Sequence, residues 1–512
     1  MRARARSCGY PWRAALAGAL LALATADGCS RAGGGRTVVV GFESVPRTLD
    51  PHHHNEVVTW SLLCNFYDAL VRFSPAMVLE PSLAVAWEQL DGTHWRFSLR
   101  PGVRFHNGGA FSSADVVASF KRALTDPRSM IRHHLVGIRD LCADGELAVL
   151  VETAAPAPTL LNRLAFLFIV PAADAASAEI SEPVGTGPYR FIERGRDGSV
   201  SAGSWRGWWG APEAARVVFT FVEDDQARLR KLLAGEFDVA VRMPYELPFG
   251  EIERAGARVE PQPRMGVQVL VIAAGAATGP ARQALADRRV RRALLLALDR
   301  RRYVNQLYRG NATVASQYVH PIVFGYDPAI SALPFAPDEA RRLLAEAGFA
   351  DGFEVELAHG VQLRSLPAAL IADLARIGVR VRSHPLSLGE LIDAAHAGKF
   401  PLIYYGRTCT TGDASEFLDS SLHSRDPERG LGRENYAGFS DPETDAMLEA
   451  AGHEMDVQKR RELLQRAQRR VLEELPALPL TVWWDYTGLS SRIEVIARHD
   501  AWLWVAGFRV KR

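Results

Sequence analysis

Several chemistries are missing from this chain. Its 512 residues include only five cysteines, with no CxxC pair and no Cys/His spacing of the zinc type, so a thiolate metal centre and a dense disulfide scaffold are both excluded. GxSxG, HExxH, the Walker A sequence and a GxGxxG ahead of a helix are absent too. With them go the short signatures of serine hydrolases, zinc proteases, phosphate loops and dinucleotide binding. An excess of one charge is also lacking. Sixty basic side chains face 59 acidic ones, a net +1, without the broad positive field that nucleic acid or an anionic membrane surface attracts. The apolar run Ala14–Ala26 spans 13 residues, short of the about 20 a membrane-crossing helix needs. The chain shows no internal repeat.

What is present is ordinary for a globular chain: 48% hydrophobic and 23% charged residues. The length exceeds one compact core and predicts two or three domains. Arg2, Arg4, Arg6 and Arg13 around the short apolar run read as an export signal over residues 1–28. Two cleavage readings stay open. Ala24-Thr25-Ala26 fits ordinary signal peptidase. Gly28-Cys29-Ser30, followed by a glycine-rich tether over 29–36, fits a lipoprotein junction with acylation at Cys29, and is preferred. Outside the cytoplasm a Cys64–Cys142 bridge is allowed, and two free thiols equally so.

Residues 79–123 carry the densest local signal. Trp95, Phe97 and Leu99 alternate with Arg96, Ser98 and Arg100, a half-buried strand. Pro101-Gly102 turns the chain, and Val103 and Phe105 resume the alternation. Ser112-Ser113 leads into a helical pattern through Val116, Val117, Phe120 and Leu124. Further on, strands (near 353–358, 379–383 and 400–405) and helices (287–307, 337–347, 365–376, 456–474) alternate, which argues for an α/β sheet.

The phrases W-x-F-x-L-R-x-G-V-x-F-H-N-G at 95–108, FSSADVVASF at 111–120, PVGTGPYRF at 183–191 and DDQARLRKLLAGEFDVA at 224–240 resemble the extracytoplasmic solute-binding proteins of family 5. These serve peptide- and nickel-type ABC importers. Segments 290–304, 336–349, 435–451 and 475–480 follow in the family's order, so the resemblance covers roughly 37–490. It implies a two-lobed α/β periplasmic-binding-protein fold (type II, cluster C-like) with an extra subdomain inserted in lobe one. Lobe one would comprise 37–50, 181–262 and 486–512, the inserted subdomain 51–180, and lobe two 263–485. The chain would cross between lobes near 262–266 and 482–486.

The same resemblance directs attention to FPLIYYGRTCTTGDASEFLDSSLHS at 400–424, a strand ending in a polar loop. Ligands of open α/β sheets bind beyond the carboxyl ends of strands. In peptide-binding relatives this loop supplies an aspartate that pairs with the peptide ammonium. Aligned on Gly412-Asp413 and Phe417-Leu418, that position holds Thr410, whose hydroxyl cannot neutralise an ammonium. Asp413 would substitute only if the loop shifted by about one turn. Arg407 suits a carboxylate or a rim ion pair. Of Tyr404 and Tyr405 only one can face a cleft, and Trp484 joins them as an aromatic candidate. Glu43 ends the first strand. The triple histidine His52-His53-His54 reads as a solvated loop rather than a metal site, and His133, His134 and His423 as surface residues. His106 reads as a structural hydrogen-bonding residue.

The expected protein is a substrate-binding subunit of an ABC importer, not an enzyme, without cofactor or metal. It would be monomeric, periplasmic and lipid-anchored if Cys29 is acylated. Its partners would be a small-molecule or peptide ligand and the permease and ATPase subunits, with no nucleic acid. An extracytoplasmic hydrolase or sensor using the same cleft, or a binder of a sugar or metal complex, is the alternative.

Overall fold

A computed structural model describes residues 37–243, 247–361 and 365–511. The export signal and the tether, with Cys29, lie outside the described residues. Ten strands form the spine of one mixed sheet: β1 (Thr37–Phe42), β2 (Tyr189–Arg194), β3 (Val200–Ser204), β4 (Arg216–Phe221), β5 (Val239–Met243), β6 (Ala257–Ile272), β7 (Phe353–Gly360), β8 (Val379–Leu386), β9 (Leu402–Thr408) and β10 (Ala477–Ser490). Their order is β8-β7-β9-β6-β10-β5-β1-β4-β3-β2, and Ala312–Val314 pairs beside β10 as an eleventh strand. β1 runs parallel to β4 and β5, and β7 parallel to β8 and β9, so each half has a parallel centre.

The halves are joined by the antiparallel pair β6–β10. At 16 residues, β6 reaches about 50 Å, enough to serve both. The pairing runs from Ala257 opposite Ser490 to Val271 opposite Ala477, and its register breaks between Pro263 and Val267. Pro261 and Pro263 bring no amide hydrogen to the ladder, which weakens the pairing where the chain passes from one half to the other.

Apolar residues bury each half on both faces. On one side of β1, Val38, Val40 and Phe42 meet Trp60, Phe66 and Phe97 in a large core. On the other, Leu229, Leu232 and Phe237 cover Val39 and Ala240. In the second half Leu270, Tyr404 and Leu478 point into one core, and Val269, Ile403 and Val482 into another. Residues 51–180 form a four-stranded antiparallel sheet and a two-stranded one. Their side chains enter the same core as β1 rather than a separate one.

The motif segments interlock. His106 donates its amide to the Gly185 carbonyl (2.9 Å), while Gly185 N–H donates to His106 Nδ1 (3.2 Å). Nδ1 is therefore the acceptor, and Nε2–H donates to the Gly187 carbonyl at 3.0 Å. Burial holds this imidazole neutral, its pKa lowered to about 4. A Cβ on Gly185 or Gly187 would stand 2.1 or 2.6 Å from the Phe66 backbone, so glycine is required at both.

Three expectations change. The triple histidine is not a solvated loop: His52 and His54 are fully buried. Arg122 fixes His52, its guanidinium gripping Asp50 at 2.9 and 2.5 Å and donating to His52 Nδ1 at 2.9 Å, while the His54 ring packs edge-on against Trp60 at 4.5 Å. Burial lowers His52 to about 4 and His54 to about 3. His134 stacks on Phe166 at 4.2 Å and His423 is buried against Glu449 and Asp445, so neither is a surface residue. The helix expected over 287–307 ends at Leu296, and Asp299 caps a new turn at Arg302 N–H. Cys64, Cys142 and Cys409 are free thiols, Cys64 and Cys409 buried and Cys142 exposed.

Candidate functional site

Four charged side chains line up across neighbouring strands where the halves join. Arg264 of β6 reaches Asp485 of β10 at 2.7 Å. Arg242 of β5 lies 3.5 Å from Asp485 and 2.8 Å from Glu43, which follows the last residue of β1. Two cations and two anions give the row zero net charge. Strand pairing alone produces this order, since β6, β10, β5 and β1 are consecutive in the sheet.

Arg242 enters the row by a backbone irregularity. Between Ala240 and Met243, β5 advances three residues while β10 advances two, from Gly488 to Tyr486, which is a bulge. Arg242 takes a left-handed φ of 49°, a costly conformation for a residue with a Cβ. Consecutive residues Val241 and Arg242 thereby line one cavity, which regular alternation forbids. Buried Arg228 holds the bend by donating to the Arg242 carbonyl at 2.9 Å and to those of Val222 and Glu223 at 2.6 and 3.0 Å.

The cavity measures about 70 Å³ and is bounded by Phe42, Glu43, Arg242, Asp485, Trp502 and Leu503, among others. Its apolar wall is rigid: Trp502 stacks on Trp60 with centroids 5.4 Å apart and planes 8° apart.

From the other half, Trp483 lies flat over the strand backbones. A Cβ on Gly266 or Gly406 would come within 2.6 Å of its ring, and the Arg264 guanidinium sits 5.9 Å from the ring centre. Trp484, next in β10 and opposite Pro263, is half-buried at the register break. The loop after β9 is closed on itself. Glu416 accepts from Thr410 Oγ1 (2.9 Å), from Thr411 N (2.7 Å) and from Thr411 Oγ1 (2.8 Å). Asp413 is buried in a bidentate pair with Arg460 at 2.6 and 2.8 Å. Arg407 pairs with Glu434 and donates to Ser420 Oγ at 3.0 Å. Tyr404 is fully buried in a core, while Tyr405 is half-buried with its ring 5.8 Å from Tyr436.

The same loop reaches the first half. Asn162 Nδ2 donates to the Thr411 carbonyl at 2.8 Å. His453 Nδ1 lies 3.2 Å from the Pro156 carbonyl, and Met265 N–H donates to the His499 carbonyl at 3.3 Å.

Of the sequence candidates, only Glu43 lines the cavity. Thr410 and Asp413 lie on the loop beyond β9 and Arg407 near the end of β9 itself, while Tyr404 points into a core and does not join them. Arg242, Arg264, Asp485 and Trp502 were not singled out as ligand residues. The one signal for Arg242 and Asp485 is position, a charged residue near the end of an apolar strand in FDVAVRM and again in VWWDY. Among the described residues no three or more of His, Cys, Asp and Glu are placed to hold a metal ion, and no helix is long and apolar enough to cross a membrane.

Comparison with known proteins gives one answer. Residues 78–428 match the family model for bacterial extracellular solute-binding proteins, family 5. The chain is 28% identical over 508 residues to a di/tripeptide-binding protein 2 of Pseudomonas aeruginosa, covering 91% of this chain and 93% of that protein. It is 27% identical over 469 residues to heme-binding protein A of Haemophilus influenzae, covering 84% and 83%. The fold matches the ABC transporter substrate-binding protein CtaP from Listeria monocytogenes with a TM-score of 0.83 at 19% identity, over 93% of this chain and 100% of that one. The two halves of the sheet are the two lobes of a periplasmic-binding-protein fold, and the chain belongs to the bacterial extracellular solute-binding proteins of family 5.

Proposed function

We propose that this chain is the solute-binding subunit of an ABC importer. It captures a small solute, peptide or peptide-like, between its lobes and delivers it unaltered to a membrane permease driven by an ATPase. Lobe one would be 37–50, 181–262 and 486–512 with 51–180 inserted, and lobe two 263–485. The supporting observation is the junction itself. A charged row and an apolar cavity lie at carboxyl ends of β1 and β5, beside a pair of crossing strands whose register breaks between Pro263 and Val267. Asn162 meets Thr411 across the lobes through a single hydrogen bond, a contact weak enough to open and remake.

Capture then follows from closure about the crossing strands. A solute that touches both lobes favours the closed form only by its preference for that form. A micromolar dissociation constant corresponds to about −8 kcal/mol, within reach of a buried side chain and a few polar contacts. The exported chain would work in the periplasm, anchored to the membrane if Cys29 is acylated.

Native mass spectrometry of the chain purified without denaturation tests this reading. The expected spectrum shows the apoprotein mass plus a small solute, and the solute is recovered chemically intact after release. Conversion of added peptides or sugars into products would contradict it.

A further inference from the structure

Glu43 is an acidic group at the junction whose bonding is incomplete. Its side chain is only 15% exposed. Among the described residues no donor hydrogen-bonds either carboxylate oxygen, although Arg242 Nη1 stands 2.8 Å from Oε1. A carboxylate this sheltered ordinarily accepts several directed bonds. Asp419 Oδ1 also lacks a hydrogen-bond partner, but it does not line the cavity, and three other nearby acids do have donors. Asp485 accepts from Arg264 Nη1 at 2.7 Å, Glu416 has three donors within 2.9 Å, and Asp413 is locked to Arg460. Arg242 is presented to Glu43 only by a bulge and a left-handed φ. Directly beside the pair lies the apolar cavity of about 70 Å³, room for about five water-sized groups, or one medium aliphatic side chain.

We infer that Glu43 receives the ammonium group of the captured solute, with Arg242 turning from Glu43 to the solute's neighbouring carbonyl or carboxylate oxygen, and that the adjacent cavity takes a compact apolar side chain. The ligand class is a primary ammonium next to an aliphatic or small aromatic side chain, as in a free amino acid or a peptide amino terminus. The Glu43–Arg242 ion pair is exchanged for a Glu43–ammonium ion pair and a charge-assisted hydrogen bond from Arg242 to the ligand oxygen, and Asp485 remains 3.5 Å from Arg242 as its counter-charge. This assignment also accounts for Thr410: its hydroxyl is bonded to Glu416 and is not required as a counter-charge. It rests on the solute-capture reading above.

Titration calorimetry on the full exported chain uses L-leucine, the dipeptide Leu-Leu and N-acetyl-Leu-Leu. At least one free-amine probe is expected to bind, and which of the first two binds more tightly distinguishes amino acid from peptide. Acetylation should weaken binding tenfold or more. Glu43→Gln should weaken the free-amine probe by a similar factor and leave the acetylated one within threefold, and Glu43→Asp should keep part of the affinity. The acetylation comparison uses the unaltered protein, so it decides even if a variant fails to fold. Equal binding of acetylated and free probes, unchanged affinity in Glu43→Gln, a loss seen in Glu416→Gln instead, or no binding of either free-amine probe would overturn the assignment. A solute found by native mass spectrometry that lacks a primary ammonium would overturn it too, while leaving capture standing.

Discussion

Buried imidazoles set how single residues of this protein respond to pH. His52 and His106 are held neutral, mainly by burial, each to about 4. The unfolded chain takes up their protons near 6.5 and the folded chain only near 4. Their stabilisation is therefore complete above pH 6.5 and is lost as the pH falls from 6.5 towards 4. Each contributes on the order of 3 kcal/mol over that window. Asp68 opposes them, because burial raises it to about 6, so its ionised form costs stability above that pH. Melting temperatures between pH 7.5 and 4.5 should fall with pH, and His106→Gln should flatten the slope below 6.5. An unchanged slope in that variant would remove His106 from the account. The histidines also show why some single residues misled. Polarity made His52–His54 look solvated. His52 is held by Arg122, seventy positions on, and His54 by packing on Trp60, and nothing next to them in the sequence announces the arginine.

At the scale of elements, phrases of sequence became contacts between strands and loops. The stretches 95–108 and 183–191 were legible because each carries its own alternation and turn residues, and they meet through His106 and Gly185. The charged row was not legible. Arg264 and Asp485 lie 221 positions apart, and only the strand order brings them together. Arg242 needed a bulge that no composition signals. Two expectations follow for elements. Gly406→Ala would set a Cβ about 2.6 Å from the Trp483 ring, and lifting the indole off β9 should cost about 1–3 kcal/mol, read as a lower denaturation midpoint. Asn162→Ala removes the bond from Asn162 to the Thr411 carbonyl. It should weaken solute binding by about three- to tenfold, roughly one hydrogen bond, through faster release. An unchanged off-rate would show that this contact plays no part in holding the lobes together.

For the whole molecule, two long strands carry the chain between lobes that otherwise own separate cores. On the proposed reading, motion is easiest where few residues must change, and the Pro263–Val267 register break is the place expected to give. The lobed architecture was legible from the family phrases and the alternation of strands and helices. The shared core of the inserted residues with β1 was not, because periodicity gives a face and not the partner it meets. Capture by closure therefore makes a distance the decisive quantity. Spin labels at Ala154 and Val457, flanking the His453–Pro156 contact, in a Cys142→Ser background that removes the exposed native thiol, report the gap between lobes by pulsed dipolar spectroscopy. With solute retained, one short distance is expected. After the solute is stripped by unfolding and refolding, a second, longer population should appear and collapse when the extracted solute is returned. A single distance, unaltered by removing and restoring the solute, would contradict capture between moving lobes.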